Sequence, residues 1–439
     1  MDRTSVQSAA PALHGSPNAS LFGATLGFFI GFGAVALFGA TAGKFKDAMQ
    51  LSPYLVGYLV AIPMLTGSLL RIPFGAWVDT TGGKKPFLLL LVLSLLGMGG
   101  LYGVLSTLYP NHLTAAHYPL ILLLGALAGC GIATFSVGIG QVSYWFPQKR
   151  QGWALGAYAG FGNTAPALAT IGLPVVTMYW GLSSAYLISA GILIAGILLY
   201  SFLGQNAWFF QLLRNGYQAD EARVMAQQKG QEIFPRGSAL QALTAAARTW
   251  RMWPLVVLYF TTFGGFLALT AWFPTFWKAY YGVNLATAVS LTAAFSLLTS
   301  LIRVPGGIWA DRMGGERVAI MALASLLLGA LIVAFSGVYA ATIVGAALMA
   351  VGMGVNNAAV FKLVPRYVEH SVGGAAGWVG GLGAFGGFAV PPLLGWFATV
   401  EGTAGYARGF LVYVGLAFLC LLLAWFLRAS RPKAGRAPV

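Results

Sequence analysis

Two arginines carry the chemistry that residue type and spacing make most legible. Arg71 opens the run Arg71-Ile-Pro-Phe-Gly-Ala-Trp-Val-Asp79, and Arg303 opens Arg303-Val-Pro-Gly-Gly-Ile-Trp-Ala-Asp311. On a helix, eight residues at ~1.5 Å each put either guanidinium about 12 Å from its aspartate, deep inside otherwise apolar sequence. A cation at that depth costs about 2.5–3.5 kcal/mol and normally faces a partner or a cavity. A buried carboxylate is the simplest partner. Yet all ten acids, Asp2, Asp47, Asp79, Asp220, Glu221, Glu232, Asp311, Glu316, Glu369 and Glu401, fall in tails, loops or the ends of apolar stretches. With no internal counterion, two arginines describe a site whose anion comes from outside, as substrate. Guanidinium forks donate N–H groups in pairs, which suits a small planar oxyanion.

Other reactive residues offer little. His14, His112, His117 and His370 lie in tails or at the ends of apolar stretches, and Cys130 and Cys420 sit within apolar runs as packing residues. No phosphate-binding loop or zinc spacing occurs. A membrane enzyme or receptor has nothing to work with at depth, so neither catalysis nor a metal or cofactor is expected.

The elements that must place these arginines are membrane helices. Of 439 residues, 58% are hydrophobic and 8% charged, whereas a water-soluble surface needs about a quarter charged. Twelve apolar stretches between 21 and 427 each reach the ~20 residues that cross a bilayer, among them 152–177 and 182–204. A polar segment at 205–251 separates six from six and is too short for a nucleotide-binding domain, which argues against a primary pump. The expected division is a tail (1–20), a first half (21–204), a linker (205–251), a second half (252–427) and a second tail (428–439). The first twenty residues lack the charged and apolar segments of a signal peptide and are expected to be a disordered tail.

Charge fixes the orientation. With both termini cytoplasmic, nineteen of the twenty-five Lys and Arg fall on that side and only Lys44, Lys46, Lys278 and Arg408 fall opposite. The net charge of +15 is therefore a topology signal and calls for no nucleic acid.

The two arginine runs are also copies of one another. Arg, Pro, Gly, Trp, Asp and a Gly-Gly pair keep register between Arg71–Lys85 and Arg303–Arg317, which indicates a parallel duplication of a six-helix half. The pattern Gly-x-x-x-Asp-x-x-Gly-Gly-[KE]-[KR] resembles the signature loop of the major facilitator superfamily. That resemblance implies an all-α membrane fold of two pseudo-symmetric six-helix halves. It also implies a latch between cytoplasmic helix ends at Asp79, Lys84, Asp311 and Arg317. A plain helix-end charge in the headgroup zone is the other reading of the aspartates, and the repeated spacing favours the latch.

Glycine, at 59 residues, concentrates in Gly131 to Asn163 and in Gly352 to Arg366 with the run after Gly373. Most of these glycines suit close helix packing. Their equivalent placement on the fifth and eleventh stretches adds an expectation of sliding contacts between the halves. Both segments resemble the paired signature motifs of the nitrate/nitrite porter family of that superfamily. The first reads Phe135-x-x-Gly-x-x-x-x-Ser-x-Trp-Phe-Pro147, then Gln151-Gly, then Gly162-Asn163; in the second, Val355-Asn356-Asn357 stands where Gly-Asn-Gly is more usual. The resemblance implies nitrate and nitrite as substrates, Arg71 and Arg303 as anion ligands, and aromatic and amide contacts at Phe135, Asn163, Tyr259 and Phe263. From the first stretch, Phe28, Phe29 and Phe32 are all candidates. It further implies a multi-pass protein of the bacterial inner membrane, in contact with lipid and functional as a monomer. Because no titratable carboxylate or histidine lies at depth, exchange of nitrate for nitrite is favoured over proton-coupled uptake, with antiport of another small oxyanion as the remaining alternative.

Overall fold

The computed structural model describes residues 13–235, 239–368 and 372–430; Arg236, Glu369, His370 and most of both tails lie outside it. The first helix begins at Pro17, earlier than expected, because Ser16 caps it by accepting from the Ala19 N–H and Pro17 supplies a preset first turn. Ser52 with Pro53 starts the second span in the same way, and Asn284 caps the eighth.

Eleven helices among the described residues are long and apolar enough to cross a membrane. The remaining crossing, the fifth, is the helix Gln148–Gly162 continued by the part of Ala165–Leu203 that precedes Gly181. The helix Ala165–Leu203 is kinked at Gly181, where φ is 81° and ψ is 175°. Only glycine enters that region without a Cβ penalty, so one residue separates the fifth span from the sixth.

Phe22, Leu96, Leu123, Met178, Trp180, Phe202, Phe335 and Trp425 are exposed on the outside of the bundle, as lipid-facing residues must be. Thr134, Gln141, Asn163, Thr262, Ser296, Thr299, Asn356 and Asn357 are buried inside it. The first and last described residues share one face with the linker. The backbone of His14 bonds Gln211 in both directions, at 2.9 and 2.7 Å, and the Arg251 guanidinium donates to Ser430 O at 3.0 Å.

The linker is more structured than its polarity predicts. It forms the short helices Trp208–Arg214, Ala219–Gln228 and Ala239–Ala247. The first buries Phe209, Phe210 and Leu212, with the Phe210 ring 5.1 Å from Tyr144 of the fourth span. Leu243 in the third accepts from the Trp378 indole of the eleventh span at 2.9 Å.

At the face opposite the termini the halves meet backbone to backbone. A Cβ on Gly57 of the second span would lie 2.6 Å from Pro391 O of the eleventh, and one on Gly39 of the first 2.6 Å from Ala271 O of the seventh. Gly395 meets Pro53 O more tightly still. Without glycine at these points that face could not close.

Candidate functional site

Each arginine follows a one-residue interruption of its helix, at Leu70 and Ile302, both of which keep near-helical dihedrals. The second span divides into Pro53–Leu69 and Arg71–Thr81, the eighth into Leu285–Leu301 and Arg303–Met313. Arg71 is 1% exposed. Its Nε donates to Gly67 O at 2.9 Å and its Nη1 to Gly380 O of the opposite half at 3.3 Å, while Nη2 is buried without an acceptor. On Arg303 both Nε and Nη2 are buried without one. Among the described residues no carboxylate pairs with either: the ion pairs are Lys362–Asp311, Arg366–Glu316 and Arg408–Glu401. Buried unpaired donors are uncommon and costly, and a cation makes them more so.

Aromatic rings line the space between the arginines. The Arg71 Cζ lies 4.8 Å from the centre of the Phe135 ring and 5.1 Å from that of Phe263. The Arg303 Cζ lies 5.1 Å from the same Phe263 ring and 5.5 Å from Phe266. One ring of the seventh span is thus shared by two guanidiniums from opposite halves. Tyr259 stacks on Phe263 at 4.8 Å and 15°, and Phe135 faces Phe263 at 6.2 Å and 29°. The structure therefore brings Arg71, Arg303, Phe135, Tyr259 and Phe263 together.

Asn163 is buried at the end of the helix Gln148–Gly162 and is tied to the eighth span rather than to these five side chains. Its Nδ2 donates to Ala159 O, its Oδ1 has no partner, and its backbone O accepts from Ser300, one turn before Arg303, at 3.3 Å.

Among the first-span phenylalanines, Phe28 packs on Phe135 at 5.3 Å and on Tyr158 at 5.5 Å. The signature glycines make its seat: a Cβ at Gly162 would collide with the Phe28 ring, and one at Gly138 with the Tyr158 hydroxyl. That hydroxyl donates to Thr134 O or Phe135 O, at 3.0 and 3.1 Å, which fixes the backbone behind Phe135. Only some of these glycines meet the opposite half. Gly381 meets Ile72 of the other half and Gly387 meets both Leu267 of its own half and Met64 of the other, but Gly383 and Gly386 meet Tyr259 and Phe260 of their own.

Sequence reasoning passed over Tyr158, Phe266 and Phe361, the last standing edge-on to Tyr259 at 5.0 Å. Tyr158 and Phe361 each lie inside a signature segment; Phe266 carries no local mark.

At the termini-bearing face, Asp79 accepts from the Tyr144 hydroxyl at 2.6 Å, joining the second span to the fourth. Lys84 donates through Nζ to Ser201 O of the sixth at 2.6 Å. Asp311 pairs with Lys362 of the tenth span. Arg317 is exposed, and its neighbour Glu316 makes the equivalent tie, accepting from the Tyr367 hydroxyl at 2.8 Å. The basic residues of the repeated loop thus do not pair with the aspartates of their own loop.

The model of the Major Facilitator Superfamily matches residues 24–294 and 277–439. The "Nitrite extrusion protein" of Bacillus subtilis (strain 168) is 29% identical over 411 residues, 93% of this chain and 94% of that protein. The "Probable nitrate/nitrite antiporter NarK1" of Thermus thermophilus is 31% identical over 390 residues, 84% of this chain and 82% of that one. Among solved structures, the xylose transporter XylE from E. coli, in a partially occluded inward open conformation, matches in fold with a TM-score of 0.72, at 13% identity over 95% of this chain and 100% of that one. The chain belongs to the nitrate/nitrite porter family of the major facilitator superfamily.

Proposed function

We propose that the protein exchanges nitrate for nitrite across the bacterial inner membrane by alternating access, as a monomer with both termini cytoplasmic. The observation that carries this reading is the pair of buried guanidiniums with free N–H groups and no carboxylate. Arg71 Nη2 and Arg303 Nε and Nη2 are the donors offered to a planar anion, with Phe135, Tyr259 and Phe263 as its walls and Asn163 beside it. The names printed for the relatives from Bacillus and Thermus support the choice of ion. Asp79, Lys84 and Asp311 tie neighbouring helix ends at the cytoplasmic face and act as the latch. The six-helix halves, 21–204 and 252–427, rock about the site, joined by the linker at 205–251.

Exchange follows from electrostatics. An empty site leaves two permanent cations facing one shared ring, and their repulsion opposes closure; a bound anion offsets it. Loaded carriers then cross readily and empty ones slowly. Proteoliposomes preloaded with nitrite are expected to take up nitrate at least tenfold faster than unloaded ones. Equal uptake into unloaded vesicles under an inward proton gradient overturns the exchange reading.

Phe263 supplies the second expectation here. Phe263→Leu keeps most of the volume but removes the π face from both guanidiniums, a loss of about 0.5–1 kcal/mol or more for each contact. Nitrate affinity, titrated on the purified protein, is expected to fall roughly tenfold. Unchanged affinity shows that the shared ring is packing alone.

A further inference from the structure

The seventh span is not a continuous α-helix. Phe260–Gly264 form a π turn between Met252–Tyr259 and Gly265–Tyr281. A π turn accommodates one extra residue and is less favourable than the α-helix it interrupts, so something must hold it. Relaxation to α geometry would rotate all that follows by about 100° relative to all that precedes. Tyr259, before the turn, and Phe266, after it, could not then both keep their places by the arginines.

Three buried polar side chains grip this turn. The Thr262 hydroxyl lies 2.9 Å from Leu258 O and 2.8 Å from Asn357 Oδ1 and donates to one of them. It accepts from Asn356 Nδ2 at 3.0 Å, and the same amide lies 3.5 Å from Leu258 O. Asn356 and Asn357 belong to the tenth span, which also sends Phe361 against Tyr259 at 5.0 Å. On the opposite side the eleventh span backs the turn: a Cβ on Gly264 would lie 2.6 Å from Gly383 O.

We propose that Thr262, Asn356 and Asn357 are positioning residues that hold the π turn and, through it, set Tyr259 and Phe263 against the arginine pair. The inference rests on the anion-site reading above, since it assigns these residues an effect on binding although none of them is a contact of either guanidinium. An apolar side chain of the same size at position 262 removes these hydrogen bonds and leaves the volume filled, which separates their effect from that of packing.

The test compares Thr262→Val, which is isosteric but lacks the hydroxyl, with Thr262→Ser, which keeps it. The first measurement needs no substrate: amide hydrogen exchange across 259–266 in the full-length protein. Thr262→Val is expected to exchange there at least tenfold faster than the wild type, and Thr262→Ser at the wild-type rate. The second is nitrate/nitrite exchange in proteoliposomes. Thr262→Val is expected to raise KM roughly tenfold with kcat within twofold, and Thr262→Ser to restore KM. Adding Thr262→Val to Phe263→Leu is expected to cost little more than Phe263→Leu alone, because one acts through the other.

Unchanged amide exchange in Thr262→Val overturns the proposal, whatever the substrate. So does a fall in kcat with KM intact, or strict additivity with Phe263→Leu. A wild-type protein that neither binds nor exchanges nitrate or nitrite, yet shows the expected amide exchange pattern, overturns the functional reading and leaves the hold on the turn standing.

Discussion

Replacing Arg303 by lysine is expected to weaken nitrate binding at least a hundredfold, and replacing Arg71 at least tenfold, while the protein stays folded. Arg71 spends Nε and Nη1 on Gly67 O and Gly380 O, so only Nη2 is free to face an anion. Arg303 keeps Nε and Nη2. A lysine ammonium retains the charge but concentrates it on one atom at the end of a flexible stem, without the planar fork. At position 71 it must also choose between the backbone carbonyls and the anion. Each charge-assisted hydrogen bond lost costs about 1.5–3 kcal/mol, and losing two gives about a hundredfold or more. Equilibrium titration of the purified variants with nitrate, alongside their elution as monodisperse protein, decides the matter. Undiminished binding in either variant removes that arginine from the site.

Gly57→Val is expected to cut exchange at least tenfold without abolishing binding. In this structure the face opposite the termini is shut, and Gly57 is where the second span touches the eleventh. A Cβ there would lie 2.6 Å from Pro391 O and 2.8 Å from the Pro392 Cα. These are backbone atoms in a helix and cannot swing aside as a side chain could. Overpacking of this kind costs about 1–3 kcal/mol, or more where the backbone must move. The cost falls only on states in which this face is closed, so the carrier is held open there and transport drops ten- to a hundredfold or further. Gly415→Ala is the matched control, because nothing lies within 4 Å of a Cβ at Gly415. In a background lacking Cys130 and Cys420, a cysteine replacing the buried Val60 is expected to label from that face in Gly57→Val and to be protected otherwise. Exchange at the wild-type rate in Gly57→Val shows that closure there is not part of the cycle.

Much of the molecule was legible in the sequence because a bilayer imposes few choices. Uninterrupted apolar runs must be helices, since lipid offers no partner for a free backbone group, and this fixed twelve crossings with a linker between six and six. Cation depth and the inventory of acids marked Arg71 and Arg303 as cations without a carboxylate before any contact was known, and the structure places both beside Phe263. The internal copy gave the symmetry that places them opposite each other. What the sequence withheld was which way each helix faces. A helix in lipid is apolar on both its outer and its packed side, so periodicity does not separate Phe28 from Phe29 or Phe32; the seat made by Gly162 and Tyr158 does. The linker showed too little apolar pattern to reveal that its short helices would bury Phe209 and Phe210. Likewise no local signal pairs Asp79 with Tyr144 or Asp311 with Lys362, which lie 65 and 51 residues away. The π turn is the clearest case. Its strain is local, but the hydroxyl and two amides that hold it come from helices about 95 residues apart, and only their meeting in three dimensions makes one phenylalanine ring common to both arginines.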